Sequence, residues 1–191
     1  MSIQLHICSH SPRRRDLLIE HDVPFNLIDN LLLDEPKIAQ DESIEDYIIR
    51  LAKLKVMASK QKFEGLILGA DTIVHFNQTI FGKPDSVDSA IATLQHLNGQ
   101  SHQVISAAVV LNTVSGEFYQ MVDTATVHFH KCKTDAIVQY VREFHPMDKA
   151  GAYGIQDKPP FLKGYDGDYN TILGLPLNAL LQLFSSYGIV K

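Results

Sequence analysis

Strand and helix signals alternate through the first two-thirds of the chain, and this alternation constrains the fold more than any other feature. Apolar residues cluster at 3–7 and 66–69 as in buried strands, whereas apolar residues at helical spacing follow Ser43 and Asp88. No repeat, low-complexity tract or Pro/Ser-rich linker interrupts the pattern. We therefore predict an α/β fold and a single domain over residues 1–191.

Turn and cap signals set the boundaries of the predicted elements. In chain order these are an opening strand at 3–7, a helix from Pro12, a strand at Val23 to Ile28, an acidic loop at Asp34 to Glu42, a helix from Ile44 to Ala58, a strand at Leu66 to Phe76 interrupted near Asp71, a helix at Asp88 to Leu97, a hairpin of Gln103 to Val114 and Glu117 to Lys131, and helices at Asp135 to Phe144 and Leu177 to Ser185.

Charge and cysteine content exclude several classes of protein. The 17 Lys and Arg residues against 22 Asp and Glu give a net charge of -5, which argues against a general binder of nucleic acid or membrane surfaces. Two cysteines, Cys8 and Cys132, cannot form a disulfide framework. There is no signal-like start and no apolar run near about 20 residues. We therefore expect a cytoplasmic protein that binds neither nucleic acid nor membrane.

The segment from Ser11 to Arg15 joins the first predicted strand to the first helix. Ser11 fits an N-cap and Pro12 the first helical position. The three arginines then lie in the first turn, where the helix dipole disfavours each cation by roughly 0.3–1 kcal/mol. Backbone N–H groups and guanidinium groups at one point favour binding of phosphate. An exposed basic cluster is the alternative.

Asp71 is the sharpest catalytic candidate. It follows largely apolar residues, inside or at the end of a core strand. A buried carboxylate must be paired, metal-bound or catalytic to avoid a large desolvation cost. Strand-end carboxylates often line the ligand crevice of an open α/β sheet. The alternative is a structural role in which Asp71 caps a turn through Thr72.

Two loops carry candidate groups for a nucleotide. Lys83 lies between Gly82 and Pro84, which fits a charge directed at phosphate and fits an ordinary turn as well. The stretch 148–156 is rich in small residues and ends in Gln156, whose amide is able to hydrogen-bond a base edge. A tight structural loop is the alternative for this stretch.

Lys55 and Glu35 are weaker candidates. The helix after Ser43 places Lys55 off its buried stripe, where most lysines are solvated. Glu35, in the acidic loop, is able to join Asp71 in supplying oxygen ligands to a hard cation such as Mg²⁺. Solvated surface is the alternative for Glu35.

Together these segments resemble the Maf family of nucleoside triphosphate pyrophosphatases. The matching motifs are SPRRRDLL at 11–18, RLAKLK at 50–55, GADTIV at 69–74, GKP at 82–84, DKAGAYGIQ at 148–156 and, more weakly, GLPL at 174–177. They occur in order over nearly the whole chain. The resemblance implies a two-lobed, ITPase-like fold with a mixed twisted sheet, flanking helices and a central cleft.

The resemblance also implies roles for individual residues. The family's acid-base aspartate matches Asp71, and its glutamate after the second strand matches Glu35, so these two residues form the expected site for a divalent metal, Mg²⁺ or Mn²⁺. Its phosphate-binding side chains match Ser11, Arg14, Lys55 and Lys83.

Arg13, Thr72 and Gln156 match the specificity positions of the branch that prefers dTTP and UTP. A sister branch directed at 7-methyl-GTP carries Trp, Gln and Glu there. The chain departs from the family pattern in its opening segment, after Gln156, and at Tyr169-Asn170-Thr171, which is shifted relative to the usual Tyr-x-Asn. Cys8 replaces an alanine, a near-isosteric change, and Asp157 replaces a glycine after Gln156, where its charge is able to repel phosphate or alter nucleotide preference.

The implied reaction is hydrolysis of dTTP and UTP to the monophosphate and pyrophosphate, with modified pyrimidine nucleotides as further candidate substrates. Asp71 acts in it as a general base or as a metal ligand. The family is often homodimeric, so a homodimer is expected. The competing hypothesis is a nucleotide-binding regulator of septum formation without essential catalysis.

Overall fold

The chain forms two compact units. A computed structural model describes residues 3–29, 32, 35–59 and 63–190. The first unit comprises Met1–Asp71, Ser106–Asp123 and Gly174–Lys191, and the second comprises Thr72–Ile105 and Thr124–Leu173. Two units agree with the two-lobed organisation that the family resemblance implies. Asp34, part of the predicted acidic loop, lies outside the described residues.

The strands of the described residues form one mixed sheet in the order β2-β1-β3-β5-β6-β7, with β4 paired to β3. They are β1 (Leu5–Ile7), β2 (Asn26–Leu27), β3 (Leu66–Phe76), β4 (Thr79–Phe81), β5 (Ser101–Asn112), β6 (Phe118–Phe129) and β7 (Leu162–Asp166). Strand β1 runs parallel to β2 and β3, whereas β3 with β4 and β6 with β7 are antiparallel. The predicted mixed α/β fold is confirmed.

Three of the helices belong to the first unit: α1 (Pro12–Glu20), α2 (Ile44–Ser59) and α6 (Leu177–Ser186). Helix α2 begins as the sequence predicts, because the Ser43 hydroxyl oxygen accepts a hydrogen bond from the Asp46 backbone N–H at 3.0 Å. Its buried residues, among them Ile48, Leu51 and Val56, give it one apolar face for the core.

The second unit contains α3 (Val87–Leu97), α4 (Thr134–Phe144) and α5 (Tyr169–Leu173), with 3-10 turns at Ala150–Ala152 and Ile155–Asp157. Its core joins aliphatic side chains of α3 and α4 to a group of aromatic rings. Members of this core are Val74, Leu94, Leu97, Phe129, Ile137, Tyr140, Val141, Tyr153 and Phe161. The turn that bears Gln156 begins at the buried Ile155, two residues after the buried Tyr153.

Several sequence predictions need correction. The strand predicted over Val23 to Ile28 is only Asn26–Leu27, since Val23 and Ile28 are buried without extending the strand ladder. Strand β3 is continuous, so Asp71 lies in its interior rather than at a break. The long hairpin is confirmed, with Gly116 at φ +76° in its turn. Among the described residues, no helix is both long and apolar enough to span a membrane.

Candidate active site

A buried lysine holds two carboxylates together in the first unit. The Lys55 ammonium lies 2.8 Å from Glu35 Oε1 and 3.2 Å from Asp71 Oδ1. The Lys55 side chain is 8% exposed and that of Asp71 13%, whereas Glu35 is half exposed. Coulomb attraction is strong in this partly desolvated setting, so the three charges stabilise one arrangement.

The position of Lys55 corrects the sequence prediction that it lies off the buried stripe of its helix. A Cβ added to Gly69 would lie 2.5 Å from the Ala52 carbonyl oxygen and 2.8 Å from Val56 Cγ2. Helix α2 therefore packs directly on the β3 backbone, as only glycine permits. This close approach covers the Lys55 stem, which is one turn from Ala52, and places its ammonium beside Asp71.

Arg14 fixes the backbone next to Asp71. Its Nε donates to the Gly174 carbonyl at 2.8 Å, and its Nη1 donates to the Ala70 carbonyl at 2.9 Å and to Ser9 Oγ at 3.4 Å. Burial lowers the pKa of the Arg14 guanidinium, and the Asp71 carboxylate opposes that shift. Arginine stays charged nonetheless, so Arg14 brings a permanent cation to this region. Its anchoring role was not predicted from the sequence.

The start of α1 lies where the sequence predicts it. Ser11 is the N-cap residue and Pro12 occupies the first turn, but the Ser11 side chain makes no capping hydrogen bond. The first turn contains no acidic residue, and the half-buried Arg13 lowers the pKa of Arg14. The turn therefore keeps the concentration of positive charge that favours an anion.

A second charged contact, missed in the sequence, holds the loop that carries Glu35. Arg50 binds Glu42 through Nε and Nη2, each at 2.6 Å, and donates to the Lys37 carbonyl at 3.1 Å. The hydrogen bonds from Arg50 lower the pKa of Glu42 to about 2. Arg50 also lies over the Tyr47 ring at 5.4 Å. The sequence signal for this contact is the Arg-x-x-x-x-Lys spacing on α2. Both residues bind carboxylates of the same loop, Arg50 at Glu42 and Lys55 at Glu35.

The residues expected to bind a metal offer a small oxygen site. Within residues 3–29, 32, 35–59 and 63–190, no group of three or more His, Cys, Asp and Glu side chains could hold an ion. Glu35 Oε1 and Asp71 Oδ1 both contact the Lys55 ammonium, so the two carboxylates are close neighbours on either side of it. Mg²⁺ in phosphate-transfer sites is usually held by one or two carboxylates together with substrate oxygens and water, and this pair fits that pattern.

The other predicted residues belong to the second unit. Thr72 follows Asp71 on β3 and is half-buried, while Lys83 is exposed in the loop after β4. The Gly82 carbonyl accepts a hydrogen bond from the Gly151 N–H at 3.1 Å. The loop of Lys83 is thus tied by its backbone to the stretch that leads to Gln156.

Gln156 is exposed on the 3-10 turn Ile155–Asp157. The Tyr140 hydroxyl accepts from the Gly154 N–H at 2.9 Å and donates to Asp157 Oδ2 at 3.0 Å. Tyr153, one residue earlier, hydrogen-bonds His102 Nε2 at 2.8 Å. Buried aromatic residues therefore fix the backbone on both sides of Gly154.

Comparison with known proteins decides the family. The Maf-like protein family model matches residues 4–187. The chain belongs to the Maf family. A dTTP/UTP pyrophosphatase of Xanthomonas axonopodis pv. citri is 37% identical, with 96% of this chain and 98% of the relative covered. One from Pectobacterium atrosepticum is 35% identical, with 98% and 95% covered. The crystal structure of a dITP/XTP pyrophosphatase from Mycobacterium abscessus is similar with a TM-score of 0.44 and 14% sequence identity. The match covers 96% of this chain and 97% of that protein.

The departures from the Maf pattern have local explanations in the structure. Cys8 is buried, where its small side chain packs much as alanine would, and burial raises the pKa of its thiol. Asp157 has a partner inside its own unit, the Tyr140 hydroxyl, so its carboxylate is not an isolated charge. The roles that the Maf resemblance assigns to individual side chains stay predictions.

Proposed function

We propose that this Maf protein hydrolyses nucleoside triphosphates, with dTTP and UTP preferred, to the monophosphate and pyrophosphate. The observation that carries the proposal is the buried Lys55 ammonium shared by Asp71 and Glu35. A carboxylate held in a partly desolvated site beside a cation is able to accept a proton or bind a metal, and the cation offsets phosphate charge. The pyrophosphatase names of the relatives support the same reaction.

In the proposed reaction a water oxygen bonds to the α-phosphorus while the bond from that phosphorus to the α,β-bridging oxygen breaks. Asp71, as general base, takes the proton from the water, and pyrophosphate leaves with the bridging oxygen. Lys55 keeps the Asp71 carboxylate oriented, and the Arg14 bonds to Ala70 and Gly174 keep the neighbouring backbone in place. Ser11, Arg14, Lys55 and Lys83 are proposed to bind the phosphate chain.

A divalent cation, Mg²⁺ or Mn²⁺, completes the proposed site, and Glu35 and Asp71 are the residues that would hold it. When bound, such a cation neutralises charge on phosphate oxygens. Because the Lys55 ammonium contacts both carboxylates, it offsets their mutual repulsion.

We assign selection of the base to Arg13, Thr72 and Gln156. All three match the dTTP/UTP branch, and their side chains offer hydrogen-bond donors and acceptors for a pyrimidine edge. Modified pyrimidine nucleotides differ little from their parents and are expected as further substrates. A regulator of septum formation without catalysis is not favoured, because the curated relatives carry pyrophosphatase names. Location in the cytoplasm and assembly as a homodimer stay predictions.

The test is release of pyrophosphate from a panel of dTTP, UTP, dATP and 7-methyl-GTP with Mg²⁺ or Mn²⁺. The proposal expects one pyrophosphate per monophosphate formed, with dTTP and UTP ahead by about tenfold or more. Release of inorganic phosphate instead would place the cleavage at a different bond. Binding of nucleotides with no turnover under any metal would support the regulator.

A further inference from the structure

We propose that Asp157 and Tyr140 form a positioning pair that holds the turn bearing Gln156 and thereby sets nucleotide preference. The inference rests on the proposed function. Neither residue needs to touch the nucleotide, since the pair acts through the backbone between Gly154 and Asp157.

The first step is the hydrogen-bond geometry around the Tyr140 hydroxyl. This oxygen accepts from the Gly154 N–H at 2.9 Å and donates to Asp157 Oδ2 at 3.0 Å, so one hydroxyl joins the start and the end of the turn. The turn itself closes through the Asp157 N–H, which donates to the Gly154 carbonyl at 3.2 Å. Gln156 lies between these two hydrogen-bonded residues, so its backbone is held from both sides.

The second step is the rigidity of the anchor. Tyr140 is 2% exposed, and its ring packs against Phe161 at 5.2 Å and Phe144 at 5.0 Å. A hydroxyl on a ring held this firmly has a fixed position. Asp157 therefore binds to a fixed point of the second unit rather than to a mobile side chain.

The third step is the close packing over Gly154. A Cβ added there would lie 2.6 Å from Asp157 Oδ2, 2.6 Å from Gln156 Nε2 and 2.9 Å from Lys149 Cε. The Asp157 carboxylate and the Gln156 amide thus occupy space over the same glycine. Moving the carboxylate changes the space available to the amide, and this couples Asp157 to the group proposed to read the base.

The fourth step is the charge of Asp157. A carboxylate close to the nucleotide repels phosphate, and the hydrogen bond from the Tyr140 hydroxyl at 3.0 Å fixes where this negative charge lies. The family pattern has glycine at position 157, and glycine has a more flexible backbone and no side chain to bond Tyr140. The hydrogen bond between Asp157 and Tyr140 therefore depends on the aspartate of this chain. We expect its effect on selection rather than on the chemical step.

The test compares Asp157→Ala, Asp157→Asn and Tyr140→Phe with wild type, measuring kcat/KM for dTTP and dATP. Alanine removes the acceptor without the backbone freedom of glycine, whereas asparagine keeps an oxygen for the Tyr140 hydroxyl. Loss of the Tyr140–Asp157 hydrogen bond should lower the dTTP-to-dATP ratio about three- to tenfold in Asp157→Ala, and Tyr140→Phe, which also loses the bond from the Gly154 N–H, should lower it at least as much. Asp157→Asn should keep the ratio within about twofold of wild type.

The matched control is Asp166→Asn, which removes another carboxylate of the second unit that bonds a side chain, the His128 ring at 2.9 Å. It should leave the ratio unchanged. Adding Asp157→Ala to Tyr140→Phe should cause little further change, because the two residues act through one bond. A ratio in Asp157→Ala equal to that of wild type overturns the inference while the pyrophosphatase function stands.

Amide hydrogen exchange over residues 154–157 separates this inference from the proposed function. Exchange should be faster in Asp157→Ala than in wild type and unchanged in Asp166→Asn, whether or not any nucleotide is hydrolysed. Absence of pyrophosphate release from every nucleotide, with faster exchange in Asp157→Ala, would defeat the proposed function and leave Asp157 and Tyr140 as the pair that holds this turn. Equal exchange in wild type and Asp157→Ala would defeat the positioning pair alone.

Discussion

The two units hold their candidate groups by different means. In the first, Lys55, Glu35 and Asp71 are held by one another through ion pairs of 2.8 and 3.2 Å. In the second, Lys83 and Gln156 are exposed, and their loops are held by backbone hydrogen bonds and by buried tyrosines. Charged side chains therefore fix the first group, whereas the fold of the loop fixes the second.

This difference teaches which substitutions should affect catalysis and which should affect selection. A change at Asp71 alters the charge balance of a partly desolvated cluster, so its effect should fall on turnover for every substrate. A change at Gln156 alters an exposed side chain on a fixed turn, so its effect should depend on the base.

The largest expected effect is that of Asp71→Asn. The amide keeps the shape of the side chain but can neither take a proton nor bind a cation well, so kcat should fall about 100- to 10,000-fold for all nucleotides. Steady-state kinetics with dTTP, UTP and dATP will measure it. Asp41→Asn, an exposed carboxylate of the same unit, is the control. A kcat for Asp71→Asn within tenfold of wild type would remove Asp71 from the mechanism.

Removal of the metal ion is expected to have the second largest effect on activity, and to lower turnover of all nucleotides alike. Excess EDTA should abolish pyrophosphate release, and added Mg²⁺ or Mn²⁺ should restore it, since clustered phosphate charge requires a hard cation. In Glu35→Gln the metal concentration for half-maximal activity should rise about tenfold, because one anionic ligand is lost. Full activity in excess EDTA would mean that Lys55 and Arg14 neutralise the phosphate charge without a metal ion.

The regular elements of the fold were predictable because their signals are local. The hairpin around Gly116, the cap at Ser43 and helices α3, α4 and α6 depend on periodicity and turn residues. Strand β2 was predicted too long, since Val23 is buried while its N–H donates to the Leu18 carbonyl of α1, outside the sheet. The split of the chain into two units depends on contacts between distant segments, which local patterns do not contain.

The candidate site was predictable in its residue types but not in its contacts. Asp71 was identifiable because a carboxylate within an apolar run has a high desolvation cost. The burial of Lys55 was missed, because it depends on the close approach of α2 to Gly69 of another element. The bonds of Arg14 to Gly174 and Ala70 and of Asp157 to Tyr140 join residues far apart in the chain, so one sequence does not show them. Phosphate binding by Arg14 stays a prediction.

A smaller and selective effect is expected for the second unit. Gln156→Glu should lower kcat/KM for dTTP about ten- to hundredfold, because a carboxylate loses the amide donor and adds negative charge near the nucleotide. Lys83→Ala is the companion variant and should weaken all nucleotides by a similar factor, since a point charge binds phosphate rather than base. If Gln156→Glu leaves the nucleotide ranking unchanged, base selection lies elsewhere.

The smallest expected effect concerns the pH dependence of stability and involves His102, which anchors Tyr153 in the second unit. Burial lowers the pKa of His102 from 6.5 to about 4. As the pH falls, His102 takes up a proton near pH 6.5 in the unfolded chain but only near pH 4 in the folded protein. The neutral, buried form of His102 therefore contributes its full stability above pH 6.5, and that contribution is lost as the pH falls below this value. Between pH 7 and 5.5 the free energy of unfolding should drop by about 1 kcal/mol from this residue. Urea unfolding of wild type against His102→Gln, which has no proton to gain, will measure the difference. Equal pH dependence in the two proteins would show that His102 is not the titrating group, and that the anchor of the second unit does not weaken in acid.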